Sequence, residues 1–470
     1  MIKKIFLFIL SLIVCLSFTA CTPTIGDSGD GGGGGGENTS IVDETRLPEI
    51  RFTFPQGAPT KKEQGYVSGY VTTANCIDSE VLTDIPAEVK IRGNSTAKAD
   101  KKPYRIKFNK KQSMLGLNGG NKYKNWVLLA DAYDYSMMRN YFIYSFGNML
   151  SNIHSTDCKH VSVYINNVFQ GVYLLAEQNE VNEGRVDIDE TKVETSANTG
   201  YLLEADSRAL EPGECELFTP DMPVNDIDTS KDYCFKVVYK SKSTLQAPNL
   251  EQLFAVKSDL STNKTIAHAQ LTKIQNYMQK VYTAMFSYQG EDVLRSLIDV
   301  ESAVDMFIVN NIASLRGGKR SEYYYIDFTD ETPLLHFGPP WDYDLDCGNY
   351  DMVDSAMSFN GLLNRDYVNY TFNQNAWFKN LVKERWYELQ LASKLRELVK
   401  TVNPNNPDAI CNKYKTDFDN NFNKWKVWGK KNYEYLTDSV LEFSNHKDAV
   451  EYFYTWMSDH IEYADSQWRF

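Results

Sequence analysis

Three acids stand at alternate positions in Trp341-Asp342-Tyr343-Asp344-Leu345-Asp346. On an extended chain alternate side chains project the same way, so these carboxylates would share one face. Like charges held together are costly unless a proton or cation comes between them. Oxygen ligands at such spacing suit Mg²⁺ or Ca²⁺. An acidic loop tip in solvent would use the same residues, but Trp341 and its apolar neighbours argue against a plain solvated tip. The opposite chemistry sits far upstream. Arg92-Gly93-Asn94-Ser95-Thr96 is followed by Lys101-Lys102-Pro103-Tyr104-Arg105-Ile106-Lys107, so six basic residues fall within sixteen positions of an acidic chain. Gly and Asn let the backbone turn tightly and present N–H groups, which suits an anion. Arg105 and Lys107, two apart on a strand, would point at one phosphate-bearing ligand. A solvated basic edge strand with a Gly-Asn turn would look the same.

Two further stretches carry less chemistry of their own. Asn125-Trp126-Val127-Leu128-Leu129-Ala130, followed by Arg139-Asn140, reads as a core strand and a helix start. Gly119-Gly120 is no phosphate-binding P-loop, since no Gly-Lys-Ser/Thr follows. Asn166-Asn167 marks a turn before Gly171-Val172-Tyr173-Leu174-Leu175-Ala176-Glu177-Gln178, so Val161–Gln178 reads as a packed hairpin.

The elements that must position these residues divide along the chain. Glu49–Phe54, Val89–Arg92 and Tyr104–Phe108 alternate with period two, as strands do. Ser136–Leu150 repeats aromatics and Met at helical spacing. Leu271, Ile274, Met278, Val281 and Met285 make one apolar helical stripe. Asp299 is a plausible N-cap for a helix over Val300–Asn311. Tyr323–Asp327 and Leu334–Phe337 form a short hairpin. Ala376–Phe470 is helical, broken by Pro404 and Pro407. The expected class is α+β, with a sheet-rich N-terminal lobe over about 45–210 and a helix-rich C-terminal lobe over about 211–470.

The start of the chain is an address. A basic Met1–Lys4 and an uncharged apolar Ile5–Phe18 precede Phe18-Thr19-Ala20-Cys21, the layout of a signal peptide over residues 1–20. The last four residues resemble a bacterial lipobox, which makes Cys21 the expected lipidation site. Residues 21–40, with the Gly31–Gly36 run, form a flexible tether to a body over 41–470. The expected location is extracytoplasmic, at the cell surface or in the periplasm, with membrane attachment through the lipid alone. Losing Lys3 and Lys4 with the signal takes the formal net charge from −13 to −15. Such a chain is a poor nonspecific binder of nucleic acid. No later apolar stretch approaches the roughly 20 residues of a spanning helix. The remaining cysteines show no zinc spacing. Cys215 and Cys234 flank a polar loop that a disulfide could close.

Taken in order, the stretches Arg92–Thr96, Lys101–Lys107, Asn125–Ala130, Arg139-Asn140, Tyr164–Gln178 and Trp341–Leu345 resemble the spore-coat kinase family CotH. The resemblance spans roughly residues 47–400. It implies an atypical protein-kinase-like, two-lobed fold that binds ATP with Mg²⁺ or Mn²⁺ and phosphorylates Ser or Thr on exported protein acceptors. Phosphoryl transfer needs cations on the phosphates, carboxylates on the metal and a base for the acceptor. By resemblance, Arg92, Arg105 and Lys107 contact phosphates, with Lys107 also catalytic, and Glu177 and Gln178 lie beside the nucleotide. Trp341 stacks near the base or packs the lobe seam. Asp342 and Asp344 are the catalytic, metal-binding pair. One departure stands out. Where family members resemble N-x-D-A-Y-R-x-S-x-Y, aligning Ser321 puts Arg316 in the place of the catalytic Asp. Either Glu322 or another acid serves, or the chain is a pseudokinase used as a surface adhesin or scaffold. A glycan-binding lipoprotein is a third reading, resting on Trp377, Trp386, Trp425, Trp428 and Trp456.

Overall fold

The computed structural model describes residues 42–240, 250–315, 321–351 and 367–469. The signal segment, Cys21, the Gly-rich tether and Arg316 lie outside them. The described body belongs to one compact unit that begins at Ser40.

Seven strands close a barrel: β1 (Glu49–Thr53), β2 (Val67–Ala74), β3 (Ile85–Ile91), β4 (Tyr104–Gln112), β5 (Tyr123–Leu129), β6 (Cys158–Ile165) and β7 (Val168–Glu177). Their order is β1-β2-β3-β4-β5-β7-β6, and the parallel β1–β6 pair closes the ring. Period-two alternation has a direct meaning here. Gly171 aside, β7 sends Tyr173 and Leu175 into the barrel core, while Val172, Leu174 and Ala176 enter a second, larger core outside. A strand covered on both faces reads as a continuous apolar run, and Val172–Ala176 does.

The β6–β7 hairpin turns at Asn166 (φ 48°) and Asn167 (φ 64°), the left-handed pair that a two-residue hairpin requires. At Gly171 the backbone takes φ +124° beneath the helix Lys415–Lys424. Asn421 Oδ1 accepts the Val172 N–H at 3.1 Å, and Trp425 Nε1 donates to Gln170 O at 2.7 Å. A Cβ on Gly171 would lie 2.5 Å from Asn421 Oδ1 and 2.9 Å from Trp425 Nε1. Gly171→Ala therefore combines a disfavoured φ with a clash, and is expected to lower unfolding stability by about 2 kcal/mol in a urea titration.

The second sheet holds β8 (Gly200–Ala205), β9 (Glu216–Phe218), β10 (Tyr233–Tyr239), β11 (Leu250–Val256), β12 (Glu322–Asp327) and β13 (His336–Phe337). Its order is β13-β12-β8-β11-β10-β9. This sheet spans the expected boundary at residue 210: β8, before it, pairs with β11 and β12 beyond it. Strands persist through the half expected to be helical: Tyr233–Tyr239 buries Phe235, Val237 and Tyr239 on one face but carries the apolar, exposed Val238 on the other, so its sequence does not alternate apolar with polar.

Helix α1 runs Arg139–Gly147, shorter than the expected Ser136–Leu150. The Asp134 carboxylate takes the N–H groups of Ser136 and Arg139 at 2.9 Å each, so the chain turns there before the helix begins. Helix α2 runs Lys264–Phe286 and buries the expected stripe Leu271, Ile274, Met278, Val281 and Met285. Its Tyr282 meets Tyr239 and Phe254 at ring distances of 5.2 and 5.3 Å, which fixes it on the second sheet. Asp299 caps the helix Val300–Ala313 through the Ser302 N–H at 2.7 Å, as expected. Cys215 and Cys234 are both free thiols, and the loop between them is closed by the β9–β10 pairing instead. Trp386 and Trp456 are buried, and Trp377, Trp425 and Trp428 are half-buried. Trp386 and Trp456 are therefore packing residues, while Trp425 also lines a cavity described below. No helix among the described residues is long and apolar enough to cross a membrane.

Three imidazoles are held uncharged, His160 and His446 buried and His154 half-buried. Burial lowers the pKa of His154, His160 and His446 to about 4. His160 Nε2 donates to Met137 O and His446 Nε2 to Ser136 O, each at 2.8 Å. The unfolded chain takes protons near pH 6.5, the folded one only near 4, so stability is lost as pH falls across that window. Each residue contributes on the order of 3 kcal/mol at the low end. The urea midpoint should fall steeply from pH 6.5 to 4, and less steeply in His446→Gln.

Candidate active site

A cavity of about 600 Å³ opens between the outer face of β3–β5 and the β8–β12 region of the second sheet. Its barrel wall is basic. Lys90 and Arg105 are cross-strand partners on the face opposite the barrel interior, because Val89, Ile91, Tyr104 and Ile106 point inward. Burial, with Arg105 close by, lowers the pKa of Lys90. The turn after β3 brings Arg92 through Thr96 to the cavity, with Gly93 at φ +84°. Its far wall is acidic and carries Asp342 and Asp344.

The two distant motifs touch. The Arg92 guanidinium lies 5.4 Å over the Trp341 ring, and Trp341 stacks on Tyr144 at 5.8 Å. Trp341 is thus a packing residue that joins α1 to the basic turn while forming part of the cavity wall. The acidic loop is pinned from α1. Asn140 Oδ1 accepts the Tyr343 N–H at 2.8 Å, and Arg139 Nε donates to Asp346 O at 3.0 Å. Asn349 Nδ2 donates to Asp344 O at 2.7 Å. Ser321 Oγ donates to Asp342 Oδ2 at 3.1 Å. Asp342 itself sits at φ 70°, left-handed backbone held by these surroundings. This fold of the loop explains a correction. Asp342, Asp344 and Asp346 do not share one face, because the Asp346 N–H turns back to Tyr343 O at 3.1 Å. Asp342 and Asp344 line the cavity and Asp346 does not.

The other expected residues divide likewise. Arg92, Arg105, Gln178 and Trp341 line the cavity together with Asn179 and Glu180. Lys107 shares the face of Arg105 but lies one pleat further on, exposed, 5.6 Å over the Tyr66 ring and outside the cavity lining. Glu177 is also outside the lining. It is buried against Arg185 Nε at 3.1 Å, Asn118 Nδ2 at 2.8 Å and the Asp157 N–H at 2.9 Å, which makes it a structural anchor for the chain leaving β7. Glu322 follows strand parity: Ser321 and Tyr323 face the cavity, so Glu322 turns to the other side, where the Tyr324 hydroxyl donates to it at 3.1 Å. It does not stand in for the acid expected at position 316.

Sequence reasoning missed the ion pair of Glu204 with Lys257, 2.7 Å apart on the cavity wall. A lone acid inside the apolar run Tyr201-Leu202-Leu203-Glu204-Ala205 was the available signal. Lys62, held by Asn94 and Glu214 at 2.8 Å each, was also missed.

The wall is polar beyond its own needs. Arg105 Nε, Asn125 Oδ1, Asn179 Nδ2, Glu190 Oε1 and Arg208 Nε are buried without hydrogen-bond partners, and all five residues line this cavity. Buried polar groups in folded proteins are nearly always paired, so a wall of unpaired ones is suited to a polar ligand. Among the described residues no group of three or more His, Cys, Asp and Glu could hold a metal unaided. Mg²⁺ asks for less: one or two carboxylates, with substrate phosphates completing the shell. Asp342 and Asp344 fit that requirement.

Cations on one wall, carboxylates on the other and unpaired polar atoms between them have the chemistry that suits a phosphate-bearing ligand. The chain belongs to the CotH kinase family: the family model described as CotH kinase protein matches residues 89–463. The match takes in the basic turn, the strands β4–β13 and the acidic loop, and it carries the expectation of a kinase-like fold and activity. No curated protein matches the chain.

Proposed function

We propose that this protein is an exported, lipid-anchored atypical kinase that transfers phosphate from ATP to Ser or Thr of extracytoplasmic proteins. The observation that carries the reading is the meeting of Arg92 and Arg105 with Asp342 and Asp344 around one cavity. In this reading the barrel and the body beyond it act as the two lobes of a kinase. Arg92 and Arg105 clamp phosphates, Gln178–Glu180 border the nucleotide, and Asp342 and Asp344 hold Mg²⁺ or Mn²⁺, which supplies charge neutralisation at the transferring phosphoryl group. Cys21 carries the lipid and residues 22–40 the tether.

A second reading keeps the nucleotide and drops the transfer. It is favoured by the outward turn of Glu322 and by Arg316 at the position where the family resemblance expects an acid. Labelled ATP with Mg²⁺ or Mn²⁺ separates the two. The kinase reading expects label on the protein or on added acceptors, together with a nucleotide-dependent rise in melting temperature. A rise without transfer supports the pseudokinase. No rise in either metal sinks both. Arg105→Gln is expected to weaken nucleotide binding about tenfold or more, as loss of one charge-assisted phosphate contact does, measured by calorimetry.

A further inference from the structure

A second cavity, of about 690 Å³, lies on the other side of the turn that leads from β3 to β4. Residues 93–96 of that turn face the first cavity and residues 98–101 face the second. The two cavities share another wall, where Tyr433 lines the first and Asn432 the second, and Tyr433 stacks on Tyr133 at 4.4 Å. An occupant of the second cavity therefore sits one loop away from Asp344 and the basic turn.

The chemistry of this second wall runs against that of the whole chain. In a protein of net charge −13, the segment Lys424-Trp425-Lys426-Val427-Trp428-Gly429-Lys430-Lys431 carries four lysines in eight residues. All four line the cavity, as do Lys98 and Lys101. Lys431 is committed to Asp351 and Asp438 at 3.0 and 2.6 Å. Lys98, Lys424, Lys426 and Lys430 are exposed and have no acidic partner among the described residues. Below them the lining turns apolar, with Tyr135, Phe422, Trp425 and Val427. At the same wall Asp131 is buried, Asn140 Nδ2 donates to its Oδ1 at 2.8 Å, and its Oδ2 has no hydrogen-bond partner.

These features call for one ligand with three properties: carboxylates or other negative charge for the rim, apolar side chains for the floor, and a hydrogen-bond donor for Asp131. A free phosphate brings no apolar surface for the floor, and a lipid headgroup phosphate, a diester, has no hydroxyl of its own for Asp131. A polypeptide rich in acidic residues answers all three, since its backbone N–H and side-chain hydroxyls are donors. The volume falls in the range of roughly 300–1,000 Å³ usual for ligand sites, room for a short stretch of chain. The geometry points to this cavity as the docking site for an acidic, apolar-containing segment of the acceptor protein, held beside the cleft so that a neighbouring hydroxyl reaches the phosphate. The acceptor role rests on the kinase reading above; the binding does not.

Binding is therefore measured first without nucleotide, by fluorescence anisotropy. The probe is a labelled peptide of glutamate, phenylalanine and serine, and the control has lysine for every glutamate. The acidic peptide is expected to bind purified protein and the lysine peptide not. Raising salt should weaken binding, since exposed charges are screened. The combined variant Lys424→Glu, Lys426→Glu, Lys430→Glu should weaken it at least about tenfold, a modest sum for three exposed charges. These side chains are exposed, and an unchanged melting temperature would show that the variant is folded. Equal binding of both peptides overturns the proposal, as does wild-type binding by the variant. Lysine-dependent binding of phosphatidylglycerol vesicles in place of the peptide overturns it too. If the protein fails to bind ATP yet binds the acidic peptide in this way, the kinase reading falls and the docking site stands.

Discussion

Asp344→Ala should reduce phosphate transfer from ATP by at least about 100-fold while leaving the fold intact. Asp344 is buried at the cavity wall, 5 % exposed, and its backbone carbonyl is fixed by Asn349. With Asp342 it provides the carboxylate pair among the residues that fit Mg²⁺. Removing one strong electrostatic contact to developing charge in a closed site costs roughly 10²–10³ in rate, and loss of a metal ligand belongs at or above that range. The same variant should lose most of its melting shift with ATP–Mg²⁺, because a ligand stabilises only in proportion to its affinity. Glu322→Gln is the control. Its side chain faces away from the cavity, so transfer should be unchanged within about twofold, the scatter expected of a residue outside the site. Transfer by Asp344→Ala at the wild-type rate would sink the kinase reading. Loss of transfer in Glu322→Gln would show that the strand moves its acid into the cleft during turnover.

Arg139→Ala should be the most destabilising of these changes, by about 3–5 kcal/mol. Arg139 is 2 % exposed and Asp134 is fully buried. Their ion pair also reaches across the fold: Arg139 Nε donates to Asp346 O at 3.0 Å, and its guanidinium lies 5.2 Å over Phe453. Truncation leaves the Asp134 carboxylate buried without its counter-ion and removes one of the bonds that pin the acidic loop to α1, leaving the Asn140–Tyr343 bond. Arg139→Lys should recover little, because an ammonium cannot reproduce the guanidinium fork that serves Asp134 and Asp346 together. The double change Asp134→Asn, Arg139→Met should be milder than Arg139→Ala, since it removes both charges at once. Urea unfolding of the three variants checks the order. If Arg139→Ala unfolds within about 1 kcal/mol of wild type, the network does not hold the loop.

The two effects belong to one arrangement. Arg139 and Asn140 do no chemistry; they set where Tyr343 and Asp346 sit, and so where Asp342 and Asp344 point. In the sequence the pair Arg139-Asn140 is only a helix start. Its meaning comes from about 200 residues away, a separation that no local pattern encodes.

What the sequence determined by itself was chemistry and local form. Residue types and spacing marked the basic turn at Arg92, the strand bearing Arg105, the acidic loop at Asp342 and Asp344, and the family. Short-range rules placed the Asn166-Asn167 turn, the Asp299 cap and the stripe of α2, because each depends on neighbours within a turn or two of chain. Tertiary structure decided the rest. Lys107 obeys the same parity as Arg105 yet misses the cavity, since parity fixes a face and not how far along it the ligand lies. Glu177 is drawn into an ion pair with Arg185 whose value comes from shared burial. Asp346 is turned from its two companions by a single backbone hydrogen bond. The second sheet was hidden because strands such as Tyr233–Tyr239 carry apolar residues on both faces, exposed Val238 included, and leave no alternation to read. Burial and long-range contact are properties of the folded chain, and those four outcomes follow from them.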